Sequence, residues 1–352
     1  MKKSIVIFIH TEYHLLLSIN LILSSYNDPE RFKIDLYIRK GGGKRLTQSL
    51  YFDDLPVSVT LFEEEVNIHR QLTTSAKEAI EKLLKNKPDI FVFFQEQDPL
   101  MVILSCYYAR SGSSVLLCQD GLKPYVNLKF HSMGLLKENH QQNMWLKTND
   151  FHVSSWLSPI FSKKYAFLHG ITKVLLTCPE AYENWNNKQL EKINFLPLDI
   201  LNPILKRLFK WEDSLLPDRD GIIFYMNQPM HDDGVAEAEI LKKMQELHPK
   251  VPIYLKLHPL TDDIKLQQYQ NLGNLHIIKS EIPAELFIMN LKNSIIVSIN
   301  STSMLLNNPE NKFYYLNKNL LKNRIKRLKR LQLKRIPADH ITLADSLKDI
   351  KF

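Results

Sequence analysis

Along the chain, short unbroken apolar runs alternate with longer segments in which apolar residues recur at helical spacing. Ser4–Ile9 is the first run, stopped by His10-Thr11-Glu12-Tyr13-His14. Leu15, Leu16, Ile19 and Leu23 then follow at helical intervals, with Thr11 placed as the N-cap. Ile34–Ile38 and Val57–Leu61 predict two further strands, and a helix over 73–84 leads into the run Pro88–Phe94. A helix over 99–110 leads into Ser114–Cys118. Strands interleaved with helices in this way predict βαβ units and a parallel sheet.

The same rhythm restarts further on. Val174–Pro179 predicts a strand and Ile193–Pro197 an edge segment, while 198–220 carries a helical piece and the breakers Pro217-Asp218-Arg219-Asp220-Gly221. Gly221–Met226, Ile253–His258, Leu275–Ile278, Ser294–Ile299 and, as the last strand, Phe313–Leu316 then predict a second sheet, with a helix over 234–247 and another opening at Ile282-Pro283-Ala284-Glu285. Between them, 127–156 has weak periodicity and reads as a long loop or irregular helical insert. The expected organisation is α/β with two Rossmann-like domains facing a central cleft: 1–200, a linker over 201–220, and 221–352.

Composition narrows this picture. The 352 residues are 44% hydrophobic and 24% charged, as in a globular protein, and no apolar run has the length of a membrane span. The opening strand lacks a small-residue cleavage site, so no signal peptide is expected. Cys106, Cys118 and Cys178 have no metal spacing and read as buried thiols in a reducing, cytoplasmic setting. The net charge of +8 is concentrated: 318–335 holds nine Lys or Arg and no acid. With no nucleic-acid-binding motif beside it, the segment reads as a basic helix over about 319–334, with Leu321, Ile325 and Leu328 on one face. An anionic membrane surface at Lys318–Arg335 is its expected partner, packing on the other domain the alternative.

Candidate chemistry sits where predicted strands end. Lys256 and His258 close one strand, and Ser301, Thr302 and Ser303 close another about 40 residues on, with a helical pattern between. Such groups, with a helix N-terminus behind them, suit a phosphate. His258-Pro259 is by itself also an ordinary turn. Asp120-Gly121 ends the fifth predicted strand, where catalytic groups sit in open α/β sheets, and it too is an ordinary turn pair. Gly41-Gly42-Gly43 fits neither phosphate-loop pattern and reads as a loop. No Asp-x-Asp motif or metal-ligand cluster is visible.

Several short signatures, in order, resemble bacterial GT-B glycosyltransferases that use CMP-activated sugars: above all glycosyltransferase family 52, the lipooligosaccharide sialyltransferases, with the polysialyltransferases of family 38 as relatives. Thr11-Glu12-Tyr13-His14-Leu15 is similar to the Thr-Pro-x-x-Leu opening, with Glu12 in place of Pro. Gln119-Asp120-Gly121 resembles the acidic-acidic-Gly motif, with Gln119 in place of the first acid. Asn227-Gln228-Pro229 resembles the Gln-Pro turn, His258-Pro259 the His-Pro motif, and Ser301-Thr302-Ser303 the hydroxyl pair. The resemblance implies Asp120 as general base and His258 as phosphate stabiliser or acid. Donor contacts would come from Asn227, Gln228, Pro229, Lys256, Pro259, Glu285 (at the ribose) and Ser301–Ser303. Acceptor contacts would come from Thr11, Tyr13, His14, Gln119 and Gly121. It implies an inverting transfer of a sialic acid or related nonulosonate from a CMP-sugar to a surface glycan built on a lipid carrier at the inner face of the membrane. No cofactor and no metal are expected, and a homodimer stays open. Transfer of Kdo, another nucleotide sugar or a CDP-polyol is the alternative within the fold; an inactive binding subunit is the alternative outside enzymes.

Overall fold

The computed structural model describes residues 2–39, 52, 55–128, 132–151, 165–228, 235–316, 331–333 and 337–352. Two compact units result: 1–124 with 128–196, and 125–127 with 197–352.

In the first unit, β1 (Lys3–Ile9), β2 (Phe32–Arg39), β3 (Ser58–Phe62), β4 (Ile90–Phe93), β5 (Ser114–Cys118), β7 (Lys173–Leu176) and β8 (Gln189–Lys192) form one sheet in the order β3-β2-β1-β4-β5-β7-β8. Every pairing in it is parallel. Ile5–Ile9 are all buried, as a strand covered on both faces requires. Three crossover helices carry the chain back: α1 (Glu12–Ser25), α2 (Thr74–Asn86) and α3 (Pro99–Arg110). Thr73 and Asp98 cap α2 and α3 through their side chains, and Pro99 starts α3 where a missing N–H costs nothing. α1 is buried from His14 through Ile22, which makes it a core helix rather than an amphipathic one.

The weakly periodic insert forms α4 (Ser132–Thr148). Its last turns pack: Trp145 is buried and donates its indole N–H to the Arg70 carbonyl at 2.7 Å, and the Asn149 side chain receives the Leu72 N–H at 3.3 Å. Leu146 and Phe151 are buried beside these polar anchors, so the end of the segment docks through a few scattered side chains.

The second unit starts at Pro197 and takes in α5 (Leu198–Leu208), so the stretch expected as a linker carries a helix. Its sheet holds β9 (Ile223–Met226), β10 (Ile253–Lys256), β11 (Leu275–Ile278), β12 (Ile295–Ser298), β13 (Lys312–Leu316) and β15 (Ile341–Ala344), ordered β11-β10-β9-β12-β13-β15 and parallel throughout. The helices are α6 (Val235–Leu247), α7 (Asp263–Gln270) and α8 (Ala284–Met289). Phe313–Leu316 is therefore not the last strand: β15 pairs beside it through only four residues, two of them exposed, too short a pattern to stand out.

The basic segment lies outside the described residues except for Leu331–Leu333. Those three form a strand, β14, paired with β6 (Val126–Leu128), and not the end of a helix. Alternating Leu-Gln-Leu suits a strand.

In each sheet the strand order reverses once, between β1 and β4 in the first and between β9 and β12 in the second. At such points diverging connections leave a crevice outside the carboxyl ends, where open α/β sheets bind ligands.

Candidate active site

In the first unit, Asp120 leaves the carboxyl end of β5. Gly121 follows at φ +62°, a left-handed conformation that a Cβ would strain, so the tight Asp-Gly turn requires it. Asp120 Oδ1 lies 3.1 Å from His14 Nε2, and Oδ2 is ion-paired with the Lys123 ammonium. His14 comes from the first turn of α1, whose cap Thr11 receives the His14 N–H on Oγ1 at 3.2 Å. Its ring stacks on Phe94 with centroids 4.2 Å apart, and its Nδ1 accepts the His10 backbone N–H at 3.3 Å.

This geometry fixes the tautomer. A neutral imidazole that accepts at Nδ1 carries its proton on Nε2, so His14 donates to Asp120. Burial is the main influence on both groups. It pushes the His14 imidazole below its ordinary value, toward the neutral form. It would raise the Asp120 carboxyl, but the His14 hydrogen bond and the Lys123 charge outweigh it and hold Asp120 well below the usual carboxylate range. Asp120 is thus an ionised, oriented carboxylate at neutral pH.

Gln119 is fully buried: its amide donates to Tyr13 Oη at 2.8 Å and accepts from Thr177 N and Oγ1, both at 2.9 Å. An amide can donate and accept at once, which an ionised acid cannot, so the departure from the acidic motif ties α1 and β7 to the end of β5. Thr11, Tyr13 and Gln119 accordingly hold the frame around Asp120.

Beside them stands a group that sequence reasoning missed. Asp98, the cap of α3, is ion-paired with Arg39 at the end of β2 and lies 3.4 Å from His10 Nε2. Burial, with Arg39 adding to it, pushes His10 down to about 3, so His10 is neutral. Lys123 was missed as well, although its spacing three residues after Asp120 is the one visible signal.

In the second unit, the candidate residues gather where β9, β10 and β12 end. Asn227 is the hub. Its Nδ2 donates to Glu237 Oε2 at 2.7 Å and to Tyr269 Oη at 2.9 Å; its Oδ1 accepts the His258 backbone N–H at 3.1 Å and the Thr261 hydroxyl at 2.5 Å. Glu237 on α6 is fully buried and also receives the Tyr225 hydroxyl at 3.1 Å, the Tyr269 hydroxyl at 2.9 Å and the Gln228 N–H at 3.3 Å. With every site of its amide engaged, Asn227 is a brace for the His258 turn rather than a ligand contact. His258 Nδ1 accepts the Leu260 N–H at 3.1 Å, so a neutral ring carries its proton on Nε2.

Gln228 and the hydroxyl run are joined through Ser298, whose Oγ receives Gln228 Nε2 at 3.3 Å and the Ser301 N–H at 3.2 Å. Ser301 caps a 3-10 turn, Thr302–Leu305, by accepting the Ser303 N–H. The helix N-terminus expected behind the hydroxyls is therefore a single short turn, and its dipole is correspondingly small. Lys256 is buried and its ammonium donates to the Ser280 carbonyl at 2.6 Å and the Leu257 carbonyl at 3.3 Å. A cation held by two carbonyls closes the end of β10 instead of pointing outward. Glu285 is buried in the first turn of α8, and Pro259 follows His258 in the turn. Pro229 lies outside the described residues. Among the described residues no group of three or more His, Cys, Asp or Glu could hold a metal ion.

Comparison with solved structures places this architecture. The 2,6-sialyltransferase of Photobacterium sp. JT-ISH-224, in a complex with CMP and lactose, is 12% identical with a TM-score of 0.54, over 93% of this chain and 74% of that one. The GT-B domain of the Photobacterium damselae sialyltransferase is 11% identical with a TM-score of 0.51, over 89% and 91%. At these identities the likeness shows the fold, GT-B. No curated protein matches by sequence. The family model of the alpha-2,8-polysialyltransferases matches residues 3–312. Of the two groups that the sequence resembles, it is thus the polysialyltransferases whose model matches; the chain belongs to the alpha-2,8-polysialyltransferase family and is a sialyltransferase-type glycosyltransferase of GT-B fold.

Proposed function

We propose that the enzyme transfers a sialic acid or related nonulosonate from a CMP donor to a surface glycan, with inversion and without a metal. Asp120 takes the proton of the acceptor hydroxyl as its oxygen attacks the anomeric carbon. The bond to the CMP phosphate breaks on the opposite face, and the His258 Nε2–H donates to the departing phosphate, with Ser301–Ser303 around it. The observation that carries this reading is the complementary pair of proton states: an ionised, braced carboxylate just past the carboxyl end of β5, and an imidazole with its donor on Nε2 just past the carboxyl end of β10, each one strand from the reversal in its own sheet. The Photobacterium 2,6-sialyltransferase of the same fold was solved with CMP, which supports a CMP donor.

The test is release of free nucleotide from CMP-, CDP- and UDP-activated donors, with the anomeric configuration of the product read by NMR. Release from CMP-nonulosonates only, in EDTA, with inverted product, is the expected result. Release from a CDP-polyol or CMP-Kdo instead replaces the donor assignment, and no release from any donor leaves a binding subunit.

For the acceptor, the reading is a lipid-linked glycan at the inner membrane face, reached through the positive charge of 318–335. Among the described residues no helix is long and apolar enough to cross a membrane. The protein is expected to sediment with anionic but not zwitterionic vesicles, and less so in high salt. Pelleting unaltered after Lys326, Arg327, Lys329 and Arg330 are changed to Gln overturns this contact.

A further inference from the structure

We infer that His14 is a positioning residue, a fixed hydrogen-bond donor that aims the Asp120 carboxylate, and that Lys123 is the exchangeable contact on the other oxygen. The inference rests on the reading of Asp120 as the base.

The two partners of the carboxylate differ in how they are held. The His14 side chain is 1% exposed, with Phe94 against its face and the His10 N–H on Nδ1. Its backbone is equally constrained: the N–H goes to Thr11 Oγ1 and the carbonyl receives the Ser18 hydroxyl at 2.7 Å. Lys123 has a side chain 41% exposed and reaches Asp120 from three residues along the same turn. Such an ammonium can swing into water, since its own end of the pair is exposed while the carboxylate keeps the His14 donor. An arriving acceptor hydroxyl therefore finds Oδ1 locked and Oδ2 replaceable.

The arrangement also decides where the proton stops. His14 Nδ1 is already an acceptor of a backbone N–H, so taking a proton there would break that bond and bury a cation. His14 cannot pass the proton on, and the proton from the hydroxyl remains on the Asp120 carboxylate as the glycosidic bond forms. The other titratable groups that face the pair stay neutral: burial pushes the Cys118 thiol and the Tyr165 phenol up and His10 down. The acid limb of the rate profile then reports Asp120 as set by His14 and Lys123.

Two substitutions separate the halves of the imidazole. His14→Asn keeps an acceptor at the δ position for the His10 N–H but offers nothing to reach Asp120. His14→Gln supplies an N–H at the ε position. Rates over pH 4–9, unfolding curves, and CMP affinity by calorimetry are measured on the full chain. For H14N we expect a loss of about 10²-fold in kcat, the scale of a misplaced catalytic group. Donor KM and CMP affinity are unchanged, and the acid limb moves to higher pH. H14Q recovers to within about tenfold of wild type, the difference a restored hydrogen bond makes. Lys123→Met also moves the acid limb upward, while kcat stays within about tenfold. Folded H14N that, like the wild type, shows no acid limb within this range, or H14Q no better than H14N, overturns the positioning role. A loss in K123M as large as that in Asp120→Asn overturns the exchangeable one. If D120N itself transfers sugar at the wild-type rate, the base assignment falls first and the inference with it; D120N inactive beside a fully active H14N sinks the inference alone.

Discussion

Asp120 and His258 each follow the carboxyl end of a parallel strand one place from the reversal in its own sheet, β5 on one side of it and β10 on the other, and the protein holds them by opposite means. Asp120 is gripped at its functional atoms, by an imidazole N–H on one oxygen and an ammonium beside the other. His258 is gripped through its backbone, with its N–H on Asn227 Oδ1 and its Nδ1 closing the turn onto the Leu260 N–H. The physical reason lies in the groups themselves. A carboxylate has only acceptor sites and a freely turning terminal torsion, so its aim must come from donors. An imidazole has two distinct nitrogens, so a turn that accepts at one leaves the other as a donor of known direction.

Breaking the first grip at its centre has the largest expected effect. Asp120→Asn should lower transfer by about 10³-fold, the middle of the range for a general base. CMP affinity should be unaffected, measured by calorimetry; an equal loss of CMP binding would make Asp120 a structural turn residue. Because its carboxyl is held well below the usual range, wild-type kcat/KM should show no acid limb above about pH 4. The sign follows from the depressed value: the base is ionised above it, and activity is lost only as pH falls through it.

His258→Ala comes next, with turnover down by about 10²-fold and CMP weakened, since a donor to a departing phosphate contributes on that scale. Near wild-type transfer by the purified variant would remove His258 from the phosphate site. Asn227→Ala probes the backbone grip. It takes one donor from the buried Glu237, which keeps the Tyr225, Tyr269 and Gln228 donors, and removes the side-chain acceptor of the His258 N–H, so unfolding in denaturant should show a loss of about 1–3 kcal/mol. Turnover should fall with the looser turn, and a variant equal to wild type in both would show that the Asn227 hub is incidental. The smallest effect belongs to Thr11→Ala, which removes the cap of the helix carrying His14 and should cost about 1 kcal/mol of stability, read from the same unfolding curves.

The strands and their ends were legible because a strand buried on both faces must be apolar throughout, and a parallel sheet must return through helices. Ile5–Ile9, Phe91–Phe93 and Ile295–Val297 leave little choice. The Thr11 cap and the Pro99 start of α3 were legible for the same local reason, since each satisfies or omits a backbone N–H within one turn. Asp120, His258 and Ser301 could be singled out as polar groups directly after such runs. β15 could not, because it is a half-exposed four-residue strand, and α4 was legible only as a loop or irregular helical insert, because its apolar residues keep no regular period.

What the sequence by itself determined is thus the succession of buried strands, the caps, and which polar residues end which strand, all set within a few neighbouring residues. Only the tertiary structure decided what those residues do to one another. His14 meets Asp120 across 106 positions, Gln119 meets Thr177 across 58, and Asn227 meets His258 across 31. It also turned Lys256 from a phosphate candidate into a ligand of protein carbonyls, and Asn227 from a donor contact into a brace. Proton state and direction depend on which partner lies within about 3 Å, and that distance is fixed by sheet order and helix packing, which no local pattern along the chain encodes.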